Sequence, residues 1–211
     1  MNLTDIPFRT LAIVRGTDRD AALRTVLVLA EEGLTTVEVS LTTPGALWVI
    51  EQARRELGPE AGLGAGTVVT ADDAIRAVEA GAGFLVTPGL GAALREAPTT
   101  GLPMFVGAST PSEVIDADAY GATAVKLFPA SHGGPRYLKA LRDPFPTIAF
   151  VPVGGVDREA APAFLAAGAV AVGVGSPLIG DAAKGGDLAA LRQRAADWRA
   201  VMTEAIGAVS A

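Results

Sequence analysis

Residues 11–41 read LAIVRGTDRDAALRTVLVLAEEGLTTVEVSL and contain a complete strand–helix–strand unit. The apolar run Leu11–Arg15 predicts a short buried strand. Asp18–Glu32 then places apolar side chains at helical spacing, with an aspartate at its start and a glycine just past its end. The run Thr36–Leu41 predicts the next strand. A strand, a helix and a second strand in this order are typical of a parallel α/β fold.

The same pattern continues through the rest of the chain. Eight apolar runs are predicted strands: Leu11–Arg15, Thr36–Leu41, Leu63–Val68, Phe84–Pro88, Met104–Ala108, Ala124–Pro129, Phe150–Gly155 and Ala169–Gly175. Further predicted helices are Ala71–Ala80, Asp157–Ala167 and Asp187–Ile206, and Gly207 is expected to end the last one. Eight units in 211 residues, about 26 residues each, favour a single-domain (β/α)8 TIM barrel over residues 1–211. An open doubly wound sheet is the alternative.

Composition narrows the classes of function. The net charge of −6 argues against a nucleic-acid partner, and the absence of cysteine excludes disulfides and thiolate sites. A single histidine, His132, makes a multi-histidine metal site hard to build, so we expect no metal. No apolar run reaches the roughly 18 residues of a membrane span, and the N-terminus does not resemble a signal peptide. A cytoplasmic protein without a membrane partner is therefore expected.

Two charged residues interrupt runs that should be apolar. Lys126 lies in the middle of the sixth predicted strand, and Glu38 lies in the second. Because side chains alternate along a strand, Val37 and Val39 share one face of the second strand while Glu38 and Ser40 share the other. In a barrel, that other face points inward. Burying an unpaired ammonium is costly, so Lys126 is expected to have a partner or to be kept neutral.

Four polar residues are predicted to converge at one mouth of the barrel. Arg15 and Thr67 follow the first and third strands, and the carboxyl ends of barrel strands carry the reactive groups. A partly neutral lysine is a good nucleophile towards ketones, and a carboxylate beside it can move protons. Lys126 and Glu38 therefore suggest Schiff-base chemistry. A purely structural ion pair between them is the alternative.

Glycines after the last two strands indicate a phosphate site. Gly154 and Gly155 follow the seventh strand, and Gly175 follows the eighth. Such glycines let backbone N–H groups approach an anion closely, although tight turns need them too. Ser176 and the following proline are predicted to be the N-cap and first position of a short helix directed at the phosphate.

The chain resembles the class I 2-keto-3-deoxy-6-phosphogluconate (KDPG) and 2-keto-3-deoxy-6-phosphogalactonate (KDPGal) aldolases over nearly its whole length. The segments that carry the resemblance are Ile13–Arg15, Val37–Val39, Gly64–Val68, Val86–Gly89, Val125–Ala130, Val153–Val156 and Gly173–Ser176. The lysine strand combined with the upstream Gly-Ala-Gly-Thr is the more specific part. The glycine–serine after the eighth strand is shared by many phosphate-binding barrels.

The resemblance implies a metal-independent TIM-barrel aldolase without a cofactor, usually a homotrimer. It assigns the Schiff base to Lys126 and proton transfer to Glu38. The substrate-binding residues it implies are Thr67 at the pyruvoyl portion, Pro88 and Phe128 along the pocket, and Gly154, Gly155, Gly175 and Ser176 at the phosphate. Thr42 departs from the pattern, because KDPG enzymes usually carry there an arginine that holds the substrate carboxylate. Arg15 is the candidate to replace that arginine.

The resemblance predicts reversible cleavage of a phosphorylated keto-deoxy sugar acid to pyruvate and glyceraldehyde 3-phosphate. The KDPGal branch also lacks the arginine at Thr42, and Gly134–Leu141 looks more like that branch, which favours the galactonate epimer. The alternatives are a 4-hydroxy-2-oxoglutarate or other pyruvate-dependent aldolase, a phosphate-binding barrel isomerase or synthase, and a non-catalytic sugar-acid sensor.

Overall fold

The computed structural model describes residues 3–92 and 100–210, and these contain eight parallel strands arranged as a nearly closed barrel. The strands are β1 (Thr10–Val14), β2 (Thr36–Ser40), β3 (Gly62–Gly66), β4 (Leu85–Val86), β5 (Met104–Ala108), β6 (Ala124–Leu127), β7 (Phe150–Pro152) and β8 (Val172–Val174). Their hydrogen-bonded order is β7-β6-β5-β4-β3-β2-β1-β8.

The two ends of this sheet, β7 and β8, meet and complete the barrel. A parallel bridge joins Val153 to Gly173, and the Val170 N–H donates to the Phe150 carbonyl at 3.0 Å. A doubly wound sheet would leave two open edges and would reverse its strand order part-way. The (β/α)8 TIM barrel predicted from the sequence is therefore confirmed.

Helices follow the strands and cover the outside of the barrel. In the described residues they are α1 (Arg19–Glu31), α2 (Ala46–Leu57), α3 (Ala71–Glu79), α4 (Pro111–Ala119), α5 (Gly134–Arg142), α6 (Ala160–Ala166), α7 (Ser176–Ile179) and α8 (Leu188–Ser210). None of these helices has the length and hydropathy needed to cross a membrane. The prediction that Gly207 ends the last helix is wrong, since α8 continues through it.

Some predicted strands are longer than the observed ones. The predicted runs Phe84–Pro88 and Ala169–Gly175 shorten to β4 and β8. Ladder hydrogen bonds still extend beyond β4, because the Thr87 N–H donates to the Phe105 carbonyl at 2.9 Å. At the end of β8, Gly175 has a ψ of −113° and leaves the extended conformation. The differences therefore concern where strands curve into loops rather than which segments pair.

Alternation along the strands separates two apolar cores. Ala12 and Val14 of β1 pack outward against the helices, whereas Leu11 and Ile13 pack inward. The inner core also contains Phe84 and Phe105, whose rings meet edge to face, and the remaining inward aliphatic side chains of the strands. The interior of the barrel is thus largely apolar, and a charged group placed there is removed from water.

A buried hydrogen bond ties α8 to the start of the barrel. The Trp198 indole N–H donates to the Thr10 Oγ1 at 2.9 Å, and the Thr10 hydroxyl donates to the Phe8 carbonyl at 2.7 Å. Both side chains are buried. This contact joins β1 to a helix almost two hundred residues later in the chain.

We predict that Thr10→Val lowers the free energy of unfolding by about 1–3 kcal/mol, because the buried Trp198 N–H loses its acceptor. Urea denaturation measures the change. Thr25→Val is a matched control, since the buried Thr25 hydroxyl only donates to the Ala21 carbonyl within α1. Equal losses in the two variants would contradict the importance assigned to the Trp198 contact.

Candidate active site

Glu38 lies on the inner face of β2. Its neighbours Val37 and Val39 pack into the outer core, so the alternation turns Glu38 inward as predicted. The residue is 1 % exposed, and neither carboxylate oxygen has a hydrogen-bond partner among the described residues. Burial raises the pKa of Glu38 above its ordinary 4.5, although the positive charges of Lys126 and Arg15 act to lower it. This carboxyl therefore takes up a proton at a higher pH than an exposed glutamate does.

Gly66 provides the space that the Glu38 carboxylate occupies. Ser40 of β2 pairs with Gly66 of β3 in the sheet. A Cβ atom on Gly66 would lie 2.3 Å from the Oε1 of Glu38, which is far closer than two such atoms can approach. The glycine that ends β3 is thus required sterically by the glutamate on the neighbouring strand.

Lys126 lies on the inner face of β6, where Val125 and Leu127 pack outward. It is 5 % exposed, and its Nζ atom lies 5.3 Å from the centre of the Phe128 ring, within the range of a cation–π contact. In the described part of the chain, Glu38 and Lys126 are the two charged side chains that are buried. Both side chains lie on inward strand faces of the barrel, and the positive charge of Lys126 acts to lower the pKa of Glu38.

Three hydroxyl groups form a connected chain beside these charges. The Ser40 Oγ lies 2.9 Å from the Thr67 Oγ1 and 2.8 Å from the Thr42 Oγ1. Thr67 has a φ of 60°, a left-handed conformation that is unusual for a β-branched residue and stores about 1–3 kcal/mol of strain. Ser40, which is buried on the same face as Glu38, therefore anchors a strained residue that the sequence assigns to the site.

A cavity of about 500 Å³ opens at the carboxyl end of the barrel strands. It brings together six of the residues that the sequence predicted for the site. They are Arg15, Phe128, Gly154, Gly155, Gly175 and Ser176. Thr42 also lines this cavity. The cavity is thus bordered by the loops after the first, second, sixth, seventh and eighth strands, which is the mouth where barrel enzymes place their reactive groups.

Other predicted residues lie outside the lining of this cavity. Glu38 and Lys126 are buried within the barrel, and Lys126 is next to the cavity through its contact with the Phe128 ring. Thr67 connects to it through the hydroxyl chain to Thr42. Pro88 lines a separate, smaller cavity of about 210 Å³ with Val68, Val69 and neighbouring glycines.

The turn after β8 differs from its prediction. Ser176 is the first residue of α7, and the N-cap position is Gly175, which has no side chain to cap the helix. The prediction that Ser176 is the N-cap is therefore wrong by one residue. Ser176 still lines the cavity, together with Pro177.

Lys184 also lines the cavity, although no pattern in the sequence predicted a role for it. It lies in a short 3-10 helix, Ala182–Lys184, that follows α7. Among the described lining residues, Arg15 and Lys184 are the two that carry a charge. Lys184 lacks the signal that revealed Lys126, because it does not interrupt an apolar strand. Its place at the cavity depends on how the chain folds after β8, which the sequence alone does not reveal.

Comparison with known proteins identifies the family of this chain. The family model for KDPG and KHG aldolase, where KHG is 4-hydroxy-2-oxoglutarate, matches residues 6–194. The chain belongs to the KDPG and KHG aldolase family. It is therefore an aldolase, a lyase that acts on a carbon–carbon bond, as the resemblance in its motifs predicted.

Two curated relatives that are named for different substrates have the same sequence identity to this aldolase. A probable 2-dehydro-3-deoxy-6-phosphogalactonate aldolase of Rhizobium meliloti is 35% identical over 187 residues, 88% of this chain and 87% of the relative. A KHG/KDPG aldolase of Escherichia coli is also 35% identical, over 188 residues, 88% of this chain and 87% of the relative. Overall identity therefore does not select one substrate.

Two solved structures share the whole fold of the aldolase. A native KDPGal structure superposes with a TM-score of 0.87 at 32% identity, covering 94% of this chain and 96% of the other. A KDPG aldolase from Legionella pneumophila, with pyruvate captured as a covalent carbinolamine intermediate, has a TM-score of 0.78 at 26% identity and covers 98% of both chains.

The residues of the aldolase that could ligate a metal ion are dispersed. Within residues 3–92 and 100–210, no group of three or more histidine, aspartate and glutamate side chains is placed to hold one. Glu38 is the buried carboxylate of the site, and the positive charges that act on it come from Lys126 and Arg15.

Proposed function

We propose that this aldolase uses a class I mechanism with a Schiff base on Lys126. The substrate is a 2-keto-3-deoxy-6-phosphosugar acid, cleaved reversibly to pyruvate and glyceraldehyde 3-phosphate. The observation that carries the proposal is the buried Lys126, whose charge acts on the buried Glu38. The cavity beside them is lined by two further positively charged side chains, Arg15 and Lys184. The covalent carbinolamine of the Legionella pneumophila relative supports covalent attachment of pyruvate in this family.

The first half of the reaction builds an electron sink. Lys126 passes its ammonium proton to the Glu38 carboxylate, and the neutral Nζ adds to the C2 ketone of the substrate to form a carbinolamine. Glu38 then returns the proton to the C2 hydroxyl, which leaves as water and gives an iminium ion. Glu38, directly or through a water molecule, removes the proton of the C4 hydroxyl. The C3–C4 bond then breaks, its electron pair moves into the iminium to form an enamine, and the aldehyde glyceraldehyde 3-phosphate leaves.

The second half returns the enzyme to its starting state. Glu38 gives its proton to C3 of the enamine, which becomes the iminium of pyruvate. Addition of water at C2 then releases pyruvate and the Lys126 amine, and the proton freed in this step stays on the Lys126–Glu38 pair. One carboxyl can serve both proton transfers because the raised pKa of Glu38 makes its protonated form accessible. The desolvated interior also keeps competing water away from the enamine.

Two groups of residues hold the ends of the substrate. We propose that Arg15 and Thr67 bind the carboxylate next to the ketone, and that Arg15 replaces the arginine missing at Thr42. Thr42 and Thr67 are already connected through Ser40, which supplies hydroxyl donors on that side. Phe128 borders the cavity between the two ends. Pro88, which the resemblance also assigns to the substrate, lines the separate smaller cavity. The phosphate is bound by backbone N–H groups of Gly154, Gly155, Gly175 and Ser176.

The galactonate epimer is the proposed preferred substrate. Its support is Thr42, since the KDPG enzymes that the chain resembles usually carry arginine at this position, together with the segment Gly134–Leu141. The family description also names KHG aldolases. A 4-hydroxy-2-oxoglutarate aldolase is therefore the second candidate, and it would use the same Lys126 and Glu38 chemistry on a shorter acid.

We further propose a metal-independent, cofactor-free homotrimer that acts in the cytoplasm. A phosphorylated acid does not cross a membrane unaided, so its cleavage belongs in the compartment where it is made. Association of the chains is supported by exposed apolar side chains. Two of them, Val69 and Leu90, border the smaller cavity that Pro88 also lines. The molecular mass in solution reports whether three chains associate.

We expect Lys126→Ala to abolish cleavage, because the buried amine beside Glu38 that forms the iminium is lost, and Glu38→Gln to slow it by at least a hundredfold. Coupled measurement of pyruvate release from both epimers, with a chelator present, gives kcat and KM. Lys139→Ala is the control for loss of a lysine, since Lys139 is exposed on α5. Near-normal cleavage by Lys126→Ala would refute the Schiff base.

The acid limb of the pH profile provides an independent check on Glu38. Its pKa is raised, so below that pKa the carboxyl is protonated and cannot accept the C4 proton. We predict that kcat/KM rises with pH through a midpoint above 4.5. Glu38→Gln should lose this limb while retaining titrations that belong to the substrate. An unchanged limb in Glu38→Gln would assign it to another group.

A further inference from the structure

Lys184 is a second cation in the catalytic cavity that the steps above do not use. It lines the cavity with Gly175, Ser176 and Gly180, the residues of the loop and helix that follow β8. Its side chain is exposed to the solvent that fills this opening. Arg15 is assigned above to the substrate carboxylate, and its positive charge acts to lower the pKa of Glu38. The ammonium of Lys184 is therefore available to bind another part of the substrate.

The backbone that carries Lys184 is firmly docked on the barrel. Ala182 and Ala183 are buried, and the Lys184 N–H donates to the Asp181 carbonyl at 2.8 Å. Gly16, next to Arg15, lies so near this segment that a Cβ atom on it would be 1.9 Å from the Ala183 carbonyl oxygen. Arg15 and Lys184 are thus attached to two backbone segments in direct contact, which fixes where each side chain leaves the backbone at the cavity.

The charge of the cavity opposes that of the whole protein. The chain has a net charge of −6, yet the charged residues among the described lining are Arg15 and Lys184, both positive. Such a local field attracts anions into a cleft. A 2-keto-3-deoxy-6-phosphosugar acid carries a carboxylate and a phosphate, and both are attracted to a cavity whose charged lining residues are positive. The glycines proposed for the phosphate lie in the same lining as Lys184.

We propose that Lys184 is a specificity-determining residue whose ammonium binds the phosphate of the substrate and selects phosphorylated over unphosphorylated 2-keto-3-deoxy acids. This role rests on the function proposed above and extends it to the choice between these two substrate classes. Backbone N–H groups orient the phosphate oxygens, and Lys184 adds a point charge that a neutral hydroxyl at the same carbon does not engage.

The test compares two substrates that differ only in the phosphate. Lys184→Gln should lower kcat/KM for the phosphorylated acid by about tenfold, the lower end of the range for a hydrogen bond to a charged group because the site is open to water. For the same acid without the phosphate, the change should stay below about twofold by the same reasoning. Lys184→Arg should retain most of the preference.

Lys139→Gln is the matched control, since it removes an exposed lysine on α5, outside the catalytic cavity, and should leave both substrates unaffected. An equal loss on both substrates in Lys184→Gln, or no loss on either, would overturn the role of Lys184. Reductive trapping of pyruvate by Lys184→Gln should match the wild type, because pyruvate has no phosphate. A wild-type enzyme that neither traps pyruvate nor cleaves the acids would instead overturn the proposed function, and the role of Lys184 with it.

Discussion

A carboxyl group held away from water is the constraint on which the site depends. Glu38 lies in a barrel interior lined with aliphatic and aromatic side chains, and its oxygens have no hydrogen-bond partner among the described residues. Desolvation disfavours the carboxylate, while Lys126 and Arg15 favour it. Desolvation has the larger effect, so the carboxyl is poised to gain and lose a proton. A buried pair of this kind contributes little stability by itself, which makes a chemical role the better explanation for it.

Much of the surrounding structure accommodates this group. Gly66 leaves the volume that the carboxylate fills, and Ser40, two residues further along the same strand, holds the strained Thr67 through a hydrogen bond. Because Gly16 has no side chain, the segment that ends at Lys184 can pack beside Arg15. Close contacts at glycines therefore position both the Glu38 carboxylate and the backbone segments that carry Arg15 and Lys184.

The sequence predicts the parts of this arrangement that depend on local periodicity. Alternation along β2 and β6 is enough to turn Glu38 and Lys126 inward, because a period of two leaves only one other face. Helix ends are less predictable. α8 continues through Gly207 because a glycine costs a helix only about 1 kcal/mol relative to alanine. The roles of Ser40 and Lys184 depend on contacts between residues distant in the chain, and no local sequence pattern predicts such contacts.

Mapping the lysine that forms a covalent bond with pyruvate tests the central claim most directly. The protein is mixed with pyruvate and borohydride, which reduces an imine to a stable amine, and the modified peptide is found by mass spectrometry. Class I chemistry predicts one reduced pyruvoyl adduct, on Lys126. No adduct, or adducts spread over Lys139 and Lys184, would contradict it and make Lys126 a structural residue of the barrel.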